Sequence, residues 1–164
     1  MKKITLILTL CTISIISTFA QKYGHLNSYE IMMAMPGIDS VQGKLAEFQT
    51  NLATLYDNMV NEFQTKYDQF NKDAGTMSSA VRKLKEDELS SMQNRIVEFQ
   101  NNVQQDVEEE QARLIAPFQE KLQSTISDIA KENKYSYIFD VSTLLFYEDG
   151  DDVTAIVKKK LGIK

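Results

Sequence analysis

From Ser40 to Asn133 the chain keeps a helical spacing of apolar residues for more than ninety residues with almost no interruption, and this stretch limits what the rest can fold into. In its first half the apolar positions are Val41, Leu45, Phe48, Leu52, Leu55, Met59, Phe63, Tyr67, Phe70 and Ala74, nine steps over 33 residues. In its second half Met92, Ile96, Phe99, Val103, Val107, Leu114, Phe118, Leu122, Ile126 and Ile129 keep the same spacing, with one polar turn around Glu110 and Gln111. Each half therefore carries one apolar stripe. A strict heptad steps by 3.5 and imposes a left-handed supercoil, whereas a mean step near 3.7 follows straight or slightly right-wound helices. The spacing predicts two nearly straight antiparallel arms.

The stripes are separated by Asp73-Ala-Gly-Thr-Met-Ser-Ser79, where Gly75 suits a left-handed residue after a helix and Ser78 or Ser79 suits an N-cap. One glycine costs a helix only about 1 kcal/mol, so a single rod of roughly 140 Å is the competing reading. The arm lengths favour the hairpin. Asp39 to Ala74 is 36 residues and Ser79 to Ala116 is 38, and Pro117 should then kink or pause the second helix.

At the N-terminus, Met1-Lys2-Lys3 is basic, Ile4 to Ile16 is apolar, and Thr18-Phe19-Ala20 places small residues where a signal peptidase reads them. Residues 1–20 thus read as a secretory signal peptide cleaved near Ala20, which places the mature chain outside the cytoplasm. Thirteen apolar residues are too few to cross a ~30 Å hydrocarbon core. A lipoprotein signal ending at Cys11 is disfavoured by the bulky Leu10 before it. Cys11 is the only cysteine, so a mature chain starting near Gln21 is held together without disulfides.

Loss of Lys2 and Lys3 leaves 16 of the 18 basic side chains against 23 acidic ones. Nucleic-acid binding, which needs a strongly basic face, is not expected. Between Lys66 and Lys85, however, five basic residues (Lys66, Lys72, Arg82, Lys83, Lys85) face two acidic ones, while from Glu86 to Glu120 two basic residues face nine acidic ones. The expected hairpin tip, near residues 75–79, is a small positive end on a negative stalk. That end could be ordinary solvated helix surface, or it could touch an anionic membrane surface or an acidic client.

Lys22 to Asn27 reads as a short strand, and Asn27-Ser-Tyr-Glu30 has the pairing of a capping box for a helix that ends near Met35, before Pro36-Gly37. After Asn133-Lys134 the period changes to 2. Tyr135, Tyr137, Phe139 and Val141 should point one way, and Leu144 to Tyr147 should form a further strand. Asp149 to Asp152 should cap a final helix in which Val153, Ile156, Val157 and Leu161 share a face. Residues 21–38 and 134–164 then make a small α/β body, and 39–133 make the hairpin. Such a body is marginal alone, and its aromatic strands are most simply completed by copies of the same chain. The fold class is α+β, mainly α.

Chemistry finds little support in the sequence. One histidine, no mature cysteine and no Gly-rich phosphate loop leave no nucleophile–base pair and no metal set, so neither an enzyme nor a cofactor is expected. His25 reads as a structural or surface residue in a strand. Glu108-Glu-Glu110 is spread around a helix axis and reads as a solvated face. Met59 and Met92 fall on the stripes and read as core.

The order Lys-Tyr-Gly-His-Leu-Asn-Ser-Tyr-Glu-Ile, Met-Pro, a long Gln/Glu-rich hairpin, Leu114-Ile-Ala-Pro117, Ala130-Lys-Glu-Asn-Lys-Tyr-Ser-Tyr-Ile-Phe-Asp140 and Asp-Val-Thr-Ala-Ile-Val157 resembles the OmpH/Skp family of periplasmic chaperones. The resemblance covers essentially the whole mature chain. It implies a homotrimer with a β body and three helical tentacles around a cavity that holds unfolded outer-membrane proteins without ATP. The best-known members are strongly basic, whereas this chain is acidic, which leaves only the tip to supply positive charge. Off-stripe apolar residues Tyr56, Val60, Leu89 and Val97, with Met77 at the tip, are the candidate client contacts. A structural envelope protein whose coiled coil binds one defined partner is the alternative, but sparse and scattered apolar residues suit promiscuous weak binding better.

Overall fold

The computed structural model describes residues 21–163, so the expected signal peptide lies outside the described residues. The elements in chain order are β1 (Lys22–Leu26), α1 (Ser28–Met33), α2 (Asp39–Asp73), α3 (Ser79–Asn133), β2 (Tyr135–Asp140), 3-10 turns at Val141–Thr143 and Asp149–Asp151, and α4 (Thr154–Lys160). Chain contacts divide them into two compact units, one made of the described residues up to Met33 together with 121–163, and one made of Ala34–Glu120.

The second unit is an antiparallel helical hairpin, and the single-rod reading is excluded. Its cross-helix contacts run in opposite directions along the two arms. Phe48 of α2 shares a recess with Glu110 of α3, Tyr56 stacks on Phe99, and Lys66 pairs with Glu88. Met35, Ile38 and Val41 are buried at one end, and Leu89 and Met92 towards the other. The link between the arms is not the turn expected at Gly75. Only Gly37 and Gly162 among the glycines have positive φ, and Ala74 is right-handed at φ −53. Two overlapping right-handed turns close the link, with Ala74 N–H donating to Phe70 O at 2.8 Å and Thr76 N–H to Asp73 O at 2.9 Å. Ser78 then caps α3, its Oγ accepting from Val81 N–H at 3.4 Å. Pro117 does not pause the helix either, since α3 runs unbroken through it. The missing N–H costs one bond to the carbonyl of Arg113, and both Pro117 and Arg113 are exposed residues.

In the other unit β1 and β2 pair in parallel, from Lys22↔Tyr135 to Leu26↔Asp140, with a bulge between Lys22 and Tyr23. Parallel strands need a long crossover, and here it includes the whole hairpin. Leu26, Ile31, Leu122, Ile129, Val153, Val157 and Leu161 form the buried core. Helix α1 packs against α4. Asn27 caps α1 by accepting from Glu30 N–H at 2.9 Å, but the reciprocal half of the expected capping box is absent. Asn27 N–H donates instead to Thr154 Oγ1 at 3.1 Å, and the Glu30 carboxylate pairs with Lys158. A second ion pair, Lys160 to Glu132 at 2.6 Å, ties α4 to the end of α3. Asp152 caps α4, accepting from Thr154 N–H at 2.7 Å. At the close of α3, Lys134 adopts φ 58, the left-handed conformation usually left to glycine.

Three expectations about the C-terminal stretch are corrected. Residues Leu144 to Tyr147 are not a strand, because Asp140 accepts from Ser142 N–H at 2.9 Å and turns the chain out of the sheet. Leu145 and Phe146 are consequently fully or largely exposed. Val141 belongs to that turn, so the outward aromatic row is Tyr23, Tyr137 and Phe139, stacked at centroid distances of 5.9–6.4 Å. Tyr135 is separate from it, half-buried beneath the Lys22 ammonium at 3.9 Å. Ile156 is exposed rather than sharing the core face of Val153, Val157 and Leu161.

Candidate functional site: an open seam in the helical hairpin

Helix α2 offers Gln49, Leu52, Ala53 and Tyr56, spaced so that all four lie on one face, and α3 meets them with Phe99, Gln100, Val103 and Val107. Together they line a mostly apolar groove of about 340 Å³. The periodicity puts Leu52, Phe99, Val103 and Val107 on the seam, and it is the seam itself that stands open here. Ala53 contributes, since a small side chain in the lining leaves space that a leucine would fill. Tyr56 forms one wall. Its ring stacks on Phe99 at 6.4 Å with planes 18° apart, and its hydroxyl accepts from Gln100 Nε2 at 2.8 Å. The groove thus presents an aromatic wall with its one hydroxyl satisfied, a surface that rewards contact with almost any apolar side chain.

Next along the arms is a polar recess of about 350 Å³ lined by Phe48, Asp106, Glu109, Glu110 and Arg113. Glu110 occupies the polar turn of the second stripe and is largely covered there, its side chain only 15% exposed. Arg113 makes this tolerable, donating to Glu110 from Nε at 2.7 Å and again from its terminal nitrogen. The hydrogen bond from Arg113 holds the Glu110 carboxyl below the ordinary carboxylate range. Among the described residues no group of three or more His, Cys, Asp or Glu side chains could hold a metal ion.

The expected contact residues separate into different environments. Tyr56 lies in the groove, Val60 is half-buried one turn further on, Met77 is half-buried in the link, and Val97 is exposed. Leu89 is a correction. It is only 9% exposed and buried in the hairpin, because the second stripe starts at Leu89 and not at Met92. Leu55, expected on the seam, is about half exposed, as is Tyr67, which stacks on Phe63 at 6.0 Å. Two apolar residues at the tip were not singled out by the spacing, Val81 and Leu84, the latter 66% exposed. Their i, i+3 placement just after the Ser78 cap is the signal that marks them.

Most tip cations are already engaged. Lys66 and Lys85 converge on Glu88 at 2.5 and 2.8 Å, and Lys66 also reaches Glu62 at 3.3 Å. Lys83 pairs with Asp87 at 2.7 Å, and Arg82 donates to the carbonyl of Ala74 at the end of α2. The hydrogen bonds from Lys66 and then Lys85 push the Glu88 carboxyl down to about 2.

Residues 22–161 match the family model described as outer membrane protein (OmpH-like). The chaperone protein Skp of Yersinia enterocolitica is 21% identical over 145 residues, covering 88% of this chain and 88% of that protein. Skp of Photorhabdus luminescens is 22% identical over 142 residues, covering 87% of this chain and 86% of its own. Among solved structures, an OmpH-like outer membrane chaperone of Caulobacter crescentus CB15 superposes with a TM-score of 0.65 at 13% identity, covering 86% of this chain and 83% of that one.

Proposed function

Since the chain belongs to the OmpH-like outer membrane protein family, we propose that it is an ATP-independent holdase of the periplasm that binds unfolded outer-membrane proteins and keeps them from aggregating. The observation that carries this reading is the open seam at Tyr56 and Phe99, an apolar groove between the two helical arms. Leu55, Leu84 and Val97 add scattered exposed apolar area along the same hairpin. Many weak contacts of this kind tolerate any client sequence, and none needs a nucleotide to form or break.

The functional unit in this reading is a homotrimer. The outward row Tyr23, Tyr137 and Phe139 and the exposed Leu145 and Phe146 are the surface that copies of the chain would cover, and the free edge of β2 is the backbone they would pair with. Electrostatic holding is secondary, because four of the five tip cations, Lys66, Arg82, Lys83 and Lys85, have acidic or carbonyl partners within the chain. Contact of the tip with an anionic membrane surface rests on Lys72, Val81 and Leu84 and is the weakest part of the assembly.

The test is light scattering of a urea-diluted outer-membrane β-barrel protein with and without the purified chain. Suppression should persist at high salt and fall when Tyr56, Leu55, Leu84 and Val97 are all changed to Ser. Undiminished suppression by that variant removes these residues from the site, and suppression abolished by salt alone makes charge the holding force.

A further inference from the structure

His25 is the only histidine in the sequence, and it sits near the end of β1, 6% exposed. Its backbone is fixed from two sides, paired with Phe139 of β2 and, through its carbonyl, accepting from Val153 N–H at 2.9 Å. Its side chain is less well provided for. Nε2 is buried and has no hydrogen-bond partner among the described residues. The ring is covered by Tyr147, centroids 4.7 Å apart and planes 46° from parallel. Beside the two rings is a recess of about 180 Å³, also lined by Leu144, Glu148 and Asp151. The cover belongs to the stretch 144–148, which has neither helix nor strand and exposes Leu145 and Phe146.

A neutral imidazole tolerates this setting, because it carries no charge to desolvate and has an aromatic neighbour to pack on. An imidazolium does not. Both ring nitrogens of an imidazolium are donors, so Nε2–H then meets no acceptor among the described residues, and a buried charge short of an acceptor costs more than the attraction between a cation and the Tyr147 ring returns. The groups facing His25 decide where relief lies. Tyr147 and Glu148 come from the covering stretch, Asp151 from the turn after it, and Asp152 from the bridge beside His25. Asp152 is occupied: burial works against its charge, but hydrogen bonds from Thr154 hold its carboxyl below the ordinary range. Glu148 and Asp151 are the carboxylates that line the recess, and Glu148 moves with the cover.

We propose that His25 is an acid-operated latch on the body, whose protonation releases Tyr147 and the stretch 144–148 so that Nε2–H meets Glu148, Asp151 or water. Release opens the recess that Tyr147 and Leu144 share with Tyr23, His25 and Phe139, so mild acid enlarges the accessible surface of the body there.

A lone histidine makes the test direct. In untagged protein carrying ¹³C-labelled histidine and tyrosine, the His25–Tyr147 ring cross-relaxation peak is followed from about pH 8 to about pH 5, the range in which histidine changes charge. The peak should be strong at the upper end and fall about tenfold in step with the imidazole shift, reporting release on protonation. His25→Phe, which keeps a ring under Tyr147 without a titrating group, should hold the Tyr147 shifts constant over the same range. A peak that survives protonation of the imidazole overturns the latch, and so does an imidazole that never titrates there. The wild-type peak alone decides the matter if His25→Phe does not fold.

Discussion

Replacing Ile129 with Ala tests whether the last turns of α3 are the centre of the body core. Ile129 is 0% exposed and lies among Leu122, Val153 and Val157 in the same unit. Three buried carbons are lost, at about 0.8 kcal/mol each, or ~2.4 kcal/mol of transfer free energy. The space left behind adds to this to the extent that the neighbours fail to collapse, and alanine returns about 0.4 kcal/mol of helix propensity. The expected loss is about 2–4 kcal/mol, a large share of the stability of any small domain. Five of the seven tyrosines (Tyr23, Tyr29, Tyr135, Tyr137, Tyr147) lie in the body unit, while Tyr56 and Tyr67 lie in the hairpin. Tyrosine near-ultraviolet dichroism therefore reports the body and far-ultraviolet dichroism reports mainly the helices. In urea the tyrosine midpoint of Ile129→Ala should drop by about 1–2 M, given slopes of about 2 kcal/mol per M. A midpoint within error of the wild type would refute the placement of Ile129 at the centre of the core.

At Gly37, where φ is 91, Ala should cost about 1–2 kcal/mol through backbone strain alone, measurable as a lower urea midpoint, because the position beside it towards Phe118 has room for a methyl group. Glu88 has its carboxyl lowered to about 2 from 4.5, so its ion pairs contribute stability that is fully present above about pH 4.5 and is lost as pH falls towards 2. Glu88→Gln should flatten that part of the acid unfolding curve seen by far-ultraviolet dichroism, and an unchanged curve would show that Lys66 and Lys85 do not depend on it.

The two arms are legible in the sequence because a stripe repeated for ten turns outweighs every local preference along it, Pro117 included. What the stripe conceals is its own gaps. Leu52, Phe99, Val103 and Val107 read as filled seam, and only the small Ala53 beside them hints that the seam stands open there. Leu89 reads as off the stripe because the stripe was begun one turn late, at Met92, and a period cannot tell where it starts. Gly75 reads as a left-handed turn residue, but a right-handed link closed by Ala74 and Thr76 does the same work, and nothing in Gly75's identity chooses between them. Leu144 to Tyr147 has every local mark of a strand. A strand also needs a partner edge, and the Asp140 turn carries these residues away from the β1–β2 sheet of the described residues.

The pairing of Lys22 with Tyr135 sets the order in which the chain can assemble itself. The two strands are separated by more than a hundred residues, a closure that a flexible chain makes slowly and at high entropic cost. The hairpin forms from local contacts, and once folded it converts that long loop into a rigid return. On the ribosome β1 emerges first and has no partner until nearly the whole chain has followed. A chain truncated before Tyr135 retains both arms and lacks the strand that completes the sheet, so synthesis that stops there yields a helical hairpin with its Lys22–Leu26 edge unsatisfied.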